Sequence, residues 1–296
     1  MNNFFKKDKF SLPKKSIDEK LPKHWNIDDK HENFNHLLNH IYITTNFCKF
    51  FFKSIDQDLF APKKEKLVVA DIGAGVGWTS AFLCNLPTVK KIYIIEPSLE
   101  RFNKIEHVLR HFNCDFNKIK LIRNDFKNFT LPEKIDIFIL SASLHHCLNS
   151  EMENLFNNIK KNLSENSYFQ YNNYLGKNVK VKFVPKVVII NEHFINKIVF
   201  LKRYLFYFLS LLRLKKPKYD WNNNKVGPGN WNAYNFHDNE HHRTKDEVTN
   251  IFKDHGFDYK IHVHNDSLLD KSIYKNKINF LKPLYYYYAI LTLKKK

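Results

Sequence analysis

Ten residues, Val68-Val69-Ala70-Asp71-Ile72-Gly73-Ala74-Gly75-Val76-Gly77, constrain this chain more than any other stretch. An apolar run fit for a buried strand ends in an acidic side chain and an isoleucine, then meets glycine at every second position, and helical periodicity begins at Trp78. Glycine in such a turn lets the backbone pass close to a ligand, and the helix that follows presents N–H groups without intrahelical partners. Only 7 Gly occur in 296 residues, so three of them within five positions mark a loop built for a nucleotide-like ligand. The spacing also discriminates among such ligands. A dinucleotide fingerprint runs G-x-G-x-x-G, whereas Trp78 stands where its third glycine would fall.

The pattern around this loop alternates. Leu67 to Ile72, Lys91 to Ile95, Lys118 to Arg123 and Ile135 to Leu140 read as short buried strands, and Trp78 to Leu86, Ser98 to Phe112 and Met152 to Leu163 as helices between or after them. Strands alternating with helices of this length imply crossover connections, hence an α/β fold with a mostly parallel sheet and helices on both faces. Tyr168 to Tyr171, a helix over Thr244 to His255 with a capping box from Thr244 and Glu247, and strands Tyr259 to His264 and Tyr286 to Leu293 complete the expected core. Residues 1–65 read as a polar arm followed by a helical extension. Residues 172–242 break the pattern and read as an inserted cap between the two parts of the core, 66–171 and 243–296.

With Asp71 followed by Gly73, Gly75 and Gly77 after the first strand, the chain resembles the class I methyltransferases that use S-adenosyl-L-methionine. The resemblance implies a Rossmann-like, seven-stranded, mostly parallel sheet. It also implies that the three glycines face the methionine part of the cofactor while Asp71 helps hold its amino end. Glu96, about 20 residues beyond the loop at the end of an apolar strand, matches the position whose carboxylate accepts from both ribose hydroxyls. Asp125 matches the acidic contact to the adenine amino group, with Phe126 packing against the base. The segment Ser141-Ala142-Ser143-Leu144-His145-His146 ends the fourth strand, where His145 or His146 would stand near the reacting centre as a proton acceptor. The acceptor implied is an oxygen or nitrogen of a small or medium-sized metabolite, such as a sugar or a lipid-linked intermediate. An RNA or protein methyltransferase and a non-catalytic methyltransferase-like binding module are the alternatives. The fourth strand lacks the [N/D]-P-P-[Y/F] loop used on exocyclic base amines.

Charge bears on partners. The net charge of +18 is concentrated: residues 172–242 hold 12 Lys/Arg against 4 Asp/Glu, and residues 271–296 hold 7 against none. Such charge admits a nucleic-acid partner. A chain crowded with Lys, Asn, Ile, Phe and Tyr, however, is also what an A+T-rich genome encodes. Phe194 to Leu214 is apolar with interspersed Lys and Arg, and reads as a cap helix or a peripheral membrane contact. Its apolar stretch is too short to span a bilayer. Four scattered cysteines with no CxxC pair, and no secretion signal in the first residues, point to reduced thiols in a cytoplasmic protein. His237 to His242 is rich in His but has no HExxH pattern, so no metal is expected. Tyr234, His237, His241 and Arg243 are placed by topology alone to reach over the cofactor.

Overall fold

The computed structural model describes residues 66–125, 128–147, 149–172, 178–195, 219–220, 225–226, 243–263 and 284–294. In chain order the elements are β1 (Leu67–Ile72), α1 (Trp78–Cys84), β2 (Val89–Ile95), α2 (Leu99–His111), β3 (Ile119–Ile122), β4 (Ile137–Ser141), α3 (Asn149–Asn162), β5 (Ser167–Asn172), β6 (Asn178–Phe183), β7 (Lys186–Ile195), β8 (Tyr219–Asp220), β9 (Lys225–Val226), α4 (Lys245–Asp254), β10 (Phe257–Val263) and β11 (Leu284–Leu293). Seven strands form one sheet in the order β10-β11-β7-β4-β1-β2-β3. All its pairings are parallel except the two made by β11. The strand order reverses at β1, which is where an open parallel sheet leaves a crevice beyond its carboxyl ends.

Every residue of β1 is buried, as befits a central strand covered on both sides. Its side chains alternate between two apolar layers. Leu67 and Val69 join Trp78, Leu83, Phe102, Ile105 and Val108 of α1 and α2, whereas Val68, Ala70 and Ile72 join Met152, Leu155, Phe156, Val248 and Phe252 of α3 and α4. The two-residue period of the strand therefore selects which helix pair each residue meets. Two helix starts are capped, the second as predicted from sequence. Ser98 accepts from the Arg101 N–H at the start of α2, and Thr244 and Glu247 make a complete capping box on α4. Asp136 fastens β4 to its neighbours, accepting from the Val68 N–H at 3.0 Å and the Ser164 hydroxyl at 2.8 Å.

The fifth core strand departs from expectation. Tyr168 to Tyr171 lies in β5, which pairs only with β6 as an antiparallel hairpin, and Tyr168 is exposed. Its place beside β4 is taken by β7, whose residues fall inside the stretch expected to be an inserted cap. The physical reason is burial: Val187-Val188-Ile189-Ile190 is a continuous apolar run with no exposure, as a strand covered on both faces requires, while Tyr168-Phe169-Gln170-Tyr171 carries a polar position. Phe194 and Ile195 consequently end β7 rather than begin a helix. The rest of the expected cap helix, the N-terminal extension, and Tyr234, His237 and His241 lie outside the described residues.

Phe156 is fully buried on α3, with ring centroids 6.2 Å from Phe252 and 5.6 Å from Phe257. Phe156→Ala is expected to lower the unfolding free energy by about 3–5 kcal/mol, read as a lower urea midpoint at unchanged slope.

Candidate active site at the carboxyl edge of the sheet

The glycine loop is clamped from two sides. Gly73 and Ala74 donate backbone N–H groups to the Ile95 carbonyl at 2.9 and 3.1 Å, which ties the loop to the end of β2. The Ser143 hydroxyl donates to the Ile72 carbonyl at 2.9 Å, which ties it to the turn after β4. Gly75 adopts φ +59°, and a Cβ built there would meet nothing within 4 Å, so the loop borders open space at this point. Gly77 adopts φ +90° at the entry to α1, and a Cβ there would come within 3.0 Å of Ile105 Cγ2. The first glycine thus leaves room above the loop, while Gly77 allows α1 to pack on α2.

Two carboxylates expected at the cofactor site stand beside this loop. Asp71 is fully buried and accepts from the Ser80 hydroxyl at 2.7 Å, yet its Oδ1 has no hydrogen-bond partner among the described residues. Burial pushes its carboxyl up to about 7; the Ser80 bond opposes this, and the nearby Glu96 charge adds to it. Glu96, also buried, accepts from the Gly75 N–H at 2.7 Å through Oε2 and from the Ser98 N–H at 2.9 Å through Oε1. Burial raises its pKa as well, against the pull of the Arg101 charge and the two N–H donors. Each carboxylate oxygen carries two lone pairs, so these bonds leave Glu96 capacity to accept from two hydroxyls. Asp125 is held in a local turn, its Oδ1 accepting from the Asn128 N–H at 3.1 Å. Phe126 lies outside the described residues.

The turn after β4 carries the two histidines. Ala142 adopts φ +48°, a left-handed conformation that costs a residue with a Cβ about 1–2 kcal/mol, and is held there by its N–H bond to the Ile190 carbonyl at 2.9 Å. Leu144–His146 then form one 3-10 turn in which the His145 and His146 rings lie 4.0 Å apart. Beside them is a residue that the sequence reading did not select. Glu192 of β7 is buried, with Oε1 at 2.6 Å from His145 Nδ1 and Oε2 accepting from the N–H groups of Leu144 at 2.9 Å and His145 at 3.3 Å. Burial alone would raise the Glu192 pKa, but the His145 charge and hydrogen bond, with His193 next, outweigh it and hold the carboxyl below its ordinary value.

His193 stands in the same group, its ring centroid 4.8 Å from that of His145, and the ligating atoms of His145, Glu192 and His193 lie within 4.8 Å of one another. Arg243, expected to reach over the cofactor, instead lies buried and donates to the carbonyls of Leu144 at 3.4 Å and Cys147 at 2.5 Å. It braces the histidine turn because a buried guanidinium must spend its donors on nearby acceptors.

Asp71 generates a stability prediction. Its carboxyl is pushed up to about 7 in the folded protein, against an ordinary 3.8 in the unfolded chain, so the folded state binds the proton more tightly. The associated stability is fully present below the unfolded value and is lost as pH rises towards 7, with a slope approaching about 1.4 kcal/mol per pH unit between the two. Thermal melts of the cofactor-free protein are expected to show this loss, and Asp71→Asn is expected to remove it.

A family model described as a methyltransferase domain matches residues 69–166, which hold the glycine loop, Glu96, Asp125 and both histidines. No curated protein matches the sequence. Among solved structures, an S-adenosylmethionine-dependent methyltransferase from Clostridium acetobutylicum is similar at 13% identity and a TM-score of 0.51, over 88% of this chain and 98% of that one. Magnesium protoporphyrin IX methyltransferase from Synechocystis, solved with bound S-adenosylhomocysteine, is similar at 13% identity and a TM-score of 0.50, over 94% and 99%. A Haemonchus contortus phosphoethanolamine N-methyltransferase in complex with S-adenosyl-L-methionine is similar at 12% identity and a TM-score of 0.55; the match covers 93% of this chain but 60% of that one. At these identities the likeness to each structure is one of fold. Residues 69–166, which build the glycine loop, are thus similar to a methyltransferase domain, and the fold around them is shared with class I, Rossmann-like methyltransferases that use S-adenosylmethionine.

Proposed function

We propose that this enzyme methylates an oxygen or nitrogen of a small or medium-sized metabolite, with the donor seated on the glycine loop and the acceptor beside the histidine turn. The observation that carries this reading is Asp71 Oδ1, a buried carboxylate oxygen without a partner among the described residues, in the central strand that leads into the glycine loop. A buried acceptor left in this way costs free energy until a donor arrives, and the ammonium of the methionine portion is such a donor. The residues therefore fit the cofactor. Gly73, Gly75 and Gly77 shape the cradle, Asp71 takes the amino end, Glu96 takes the ribose hydroxyls, and Asp125 takes the adenine amino group, with Phe126 the next residue in sequence. When bound, S-adenosylmethionine supplies an activated methyl group on a sulfonium. The protein's own part is to hold the acceptor in line, exclude water and take up a proton at His145 or His146. The acceptors named for two proteins of like fold, a porphyrin and a phosphoethanolamine, are small molecules, which agrees with this reading.

Calorimetric titration tests it. Wild type is expected to bind S-adenosylmethionine and S-adenosylhomocysteine at micromolar concentration, and Glu96→Ala to bind at least about tenfold more weakly, a loss of about 1.4 kcal/mol. A folded wild type that binds neither compound sinks the proposal. A second signature follows from Asp71, whose carboxyl titrates near 7. Its ionised form is the one that attracts an ammonium, so affinity is expected to rise between about pH 6 and about pH 7.5 in wild type and to stay flat in Asp71→Asn.

A further inference from the structure

The sequence offers two histidines in equivalent company, and Glu192 separates them. Its Oε1 lies 2.6 Å from His145 Nδ1, and its Oε2 accepts from the N–H groups of the residues that open the turn. The ring and the backbone that carries it are therefore gripped by one side chain. A carboxylate on Nδ1 fixes the proton there and leaves the basic lone pair on Nε2. The same constellation is the group of His and Glu side chains nearest to a metal site among the described residues, but its geometry argues for a proton rather than an ion. Two ligands about 2.1 Å from one metal at near-right or tetrahedral angles stand about 3.0–3.4 Å apart, longer than the 2.6 Å contact between Oε1 and Nδ1. Glu192 also takes a 3.2 Å contact from the His193 N–H, so both of its oxygens accept from two donors.

We propose that Glu192 is the positioning residue that makes His145, and not His146, the proton acceptor of the transfer, and that the acceptor it serves is a neutral hydroxyl. This rests on the methyl-transfer reading above and deepens it. A carboxylate acceptor is already ionised and has no proton to lose, and an amine in its neutral form attacks through a lone pair and can shed its proton to water afterwards. A hydroxyl is a poor nucleophile until its proton leaves, so it is the acceptor for which an oriented base changes the rate most. As the oxygen gains the methyl group and the S–C electron pair stays on sulfur, the O–H proton passes to His145 Nε2. Glu192 remains ionised and balances the imidazolium. The strained φ at Ala142, the Ser143 bond to Ile72 and the Arg243 bonds to the turn hold this pair at the rim of the glycine loop. The other titratable or charged groups around His145 are His146 on its own turn, His193 on β7, Arg243 before α4 and Tyr287 on β11, the register partner of Glu192.

Histidine-labelled protein saturated with S-adenosylhomocysteine provides the test by nitrogen NMR. In wild type, neutral His145 is expected as the Nδ1–H tautomer. In Glu192→Gln its titration midpoint is expected to fall by about one pH unit or more, because the carboxylate that favoured the imidazolium has lost its charge. Affinity for S-adenosylhomocysteine is the control and is expected to stay within about twofold, a change of about 0.4 kcal/mol. His145→Gln, which retains Glu192, keeps the test open if Glu192→Gln fails to fold: it is expected to lower transfer by a far larger factor than His146→Gln does, and an equal loss in the two would overturn the assignment. An Nε2–H tautomer at His145, an unchanged midpoint in a folded Glu192→Gln, or stoichiometric Zn²⁺ binding that this variant loses would each overturn the dyad. The acceptor class is read from product made with methyl-labelled donor and a metabolite extract. Label that survives mild alkali and passes a cation exchanger is an ether and is expected. Methanol released by alkali marks an ester, and retention on the exchanger marks an amine; either overturns the hydroxyl. Failure of wild type to bind S-adenosylhomocysteine would instead sink the methyl-transfer reading itself.

Discussion

Three carboxylates are buried at the carboxyl edge of one parallel sheet, and the cost of burying them organises everything around the crevice. Glu192 on β7 is surrounded by N–H groups and a histidine ring and sits below its ordinary pKa. Glu96 after β2 has two N–H donors and sits above. Asp71 on β1 has one hydroxyl donor and is pushed up to about 7, with one oxygen left over among the described residues. Satisfaction thus falls from Glu192 to Asp71. A protein tolerates an unsatisfied buried acceptor where something outside the chain completes it, so the gradient points from the base of the site towards the ligand. The loop clamps, the cap of α2 and the strained turn after β4 are the scaffolding that keeps these groups dry.

Much of this was legible in the sequence because it is local. The glycine loop, the strand that enters it and the acidic residue after β2 each depend on a few consecutive residues, and their geometry follows from burial and from backbone conformations that favour glycine. The fifth strand was not, because the hairpin of β5 and β6 separates it from α3 and places it within a basic, irregular stretch. A signal was nonetheless present: Val187-Val188-Ile189-Ile190 followed by Asn191-Glu192 repeats the form of Ile92-Tyr93-Ile94-Ile95 followed by Glu96. Each is an apolar run buried on both faces that ends in a glutamate at the crevice. Glu192 was hidden because its whole strand fell within the stretch read as an inserted cap, and not by its own chemistry.

Arg243 shows the other limit. Its position before a capped helix was readable, but whether a cation there faces a ligand or a carbonyl depends on which turn lies beneath it. That is a tertiary fact. Here the guanidinium donates to carbonyls of the histidine turn, which makes a brace of a residue expected to reach over the cofactor.

The sheet order carries a consequence for synthesis. β11, residues 284–293, lies between β7 and β10, both of which emerge from the ribosome before it. The half of the sheet made of β3, β2, β1 and β4 can assemble as it is made, with α1, α2 and α3 to cover it. The strand bearing Glu192 meanwhile waits with one edge unpaired, exposing N–H and C=O groups and a Val-Val-Ile-Ile run to any other extended chain. During translation, therefore, the half of the crevice around the glycine loop matures early, while the half around Glu192 keeps an open, aggregation-prone edge until a strand encoded some ninety residues later slides in beside it.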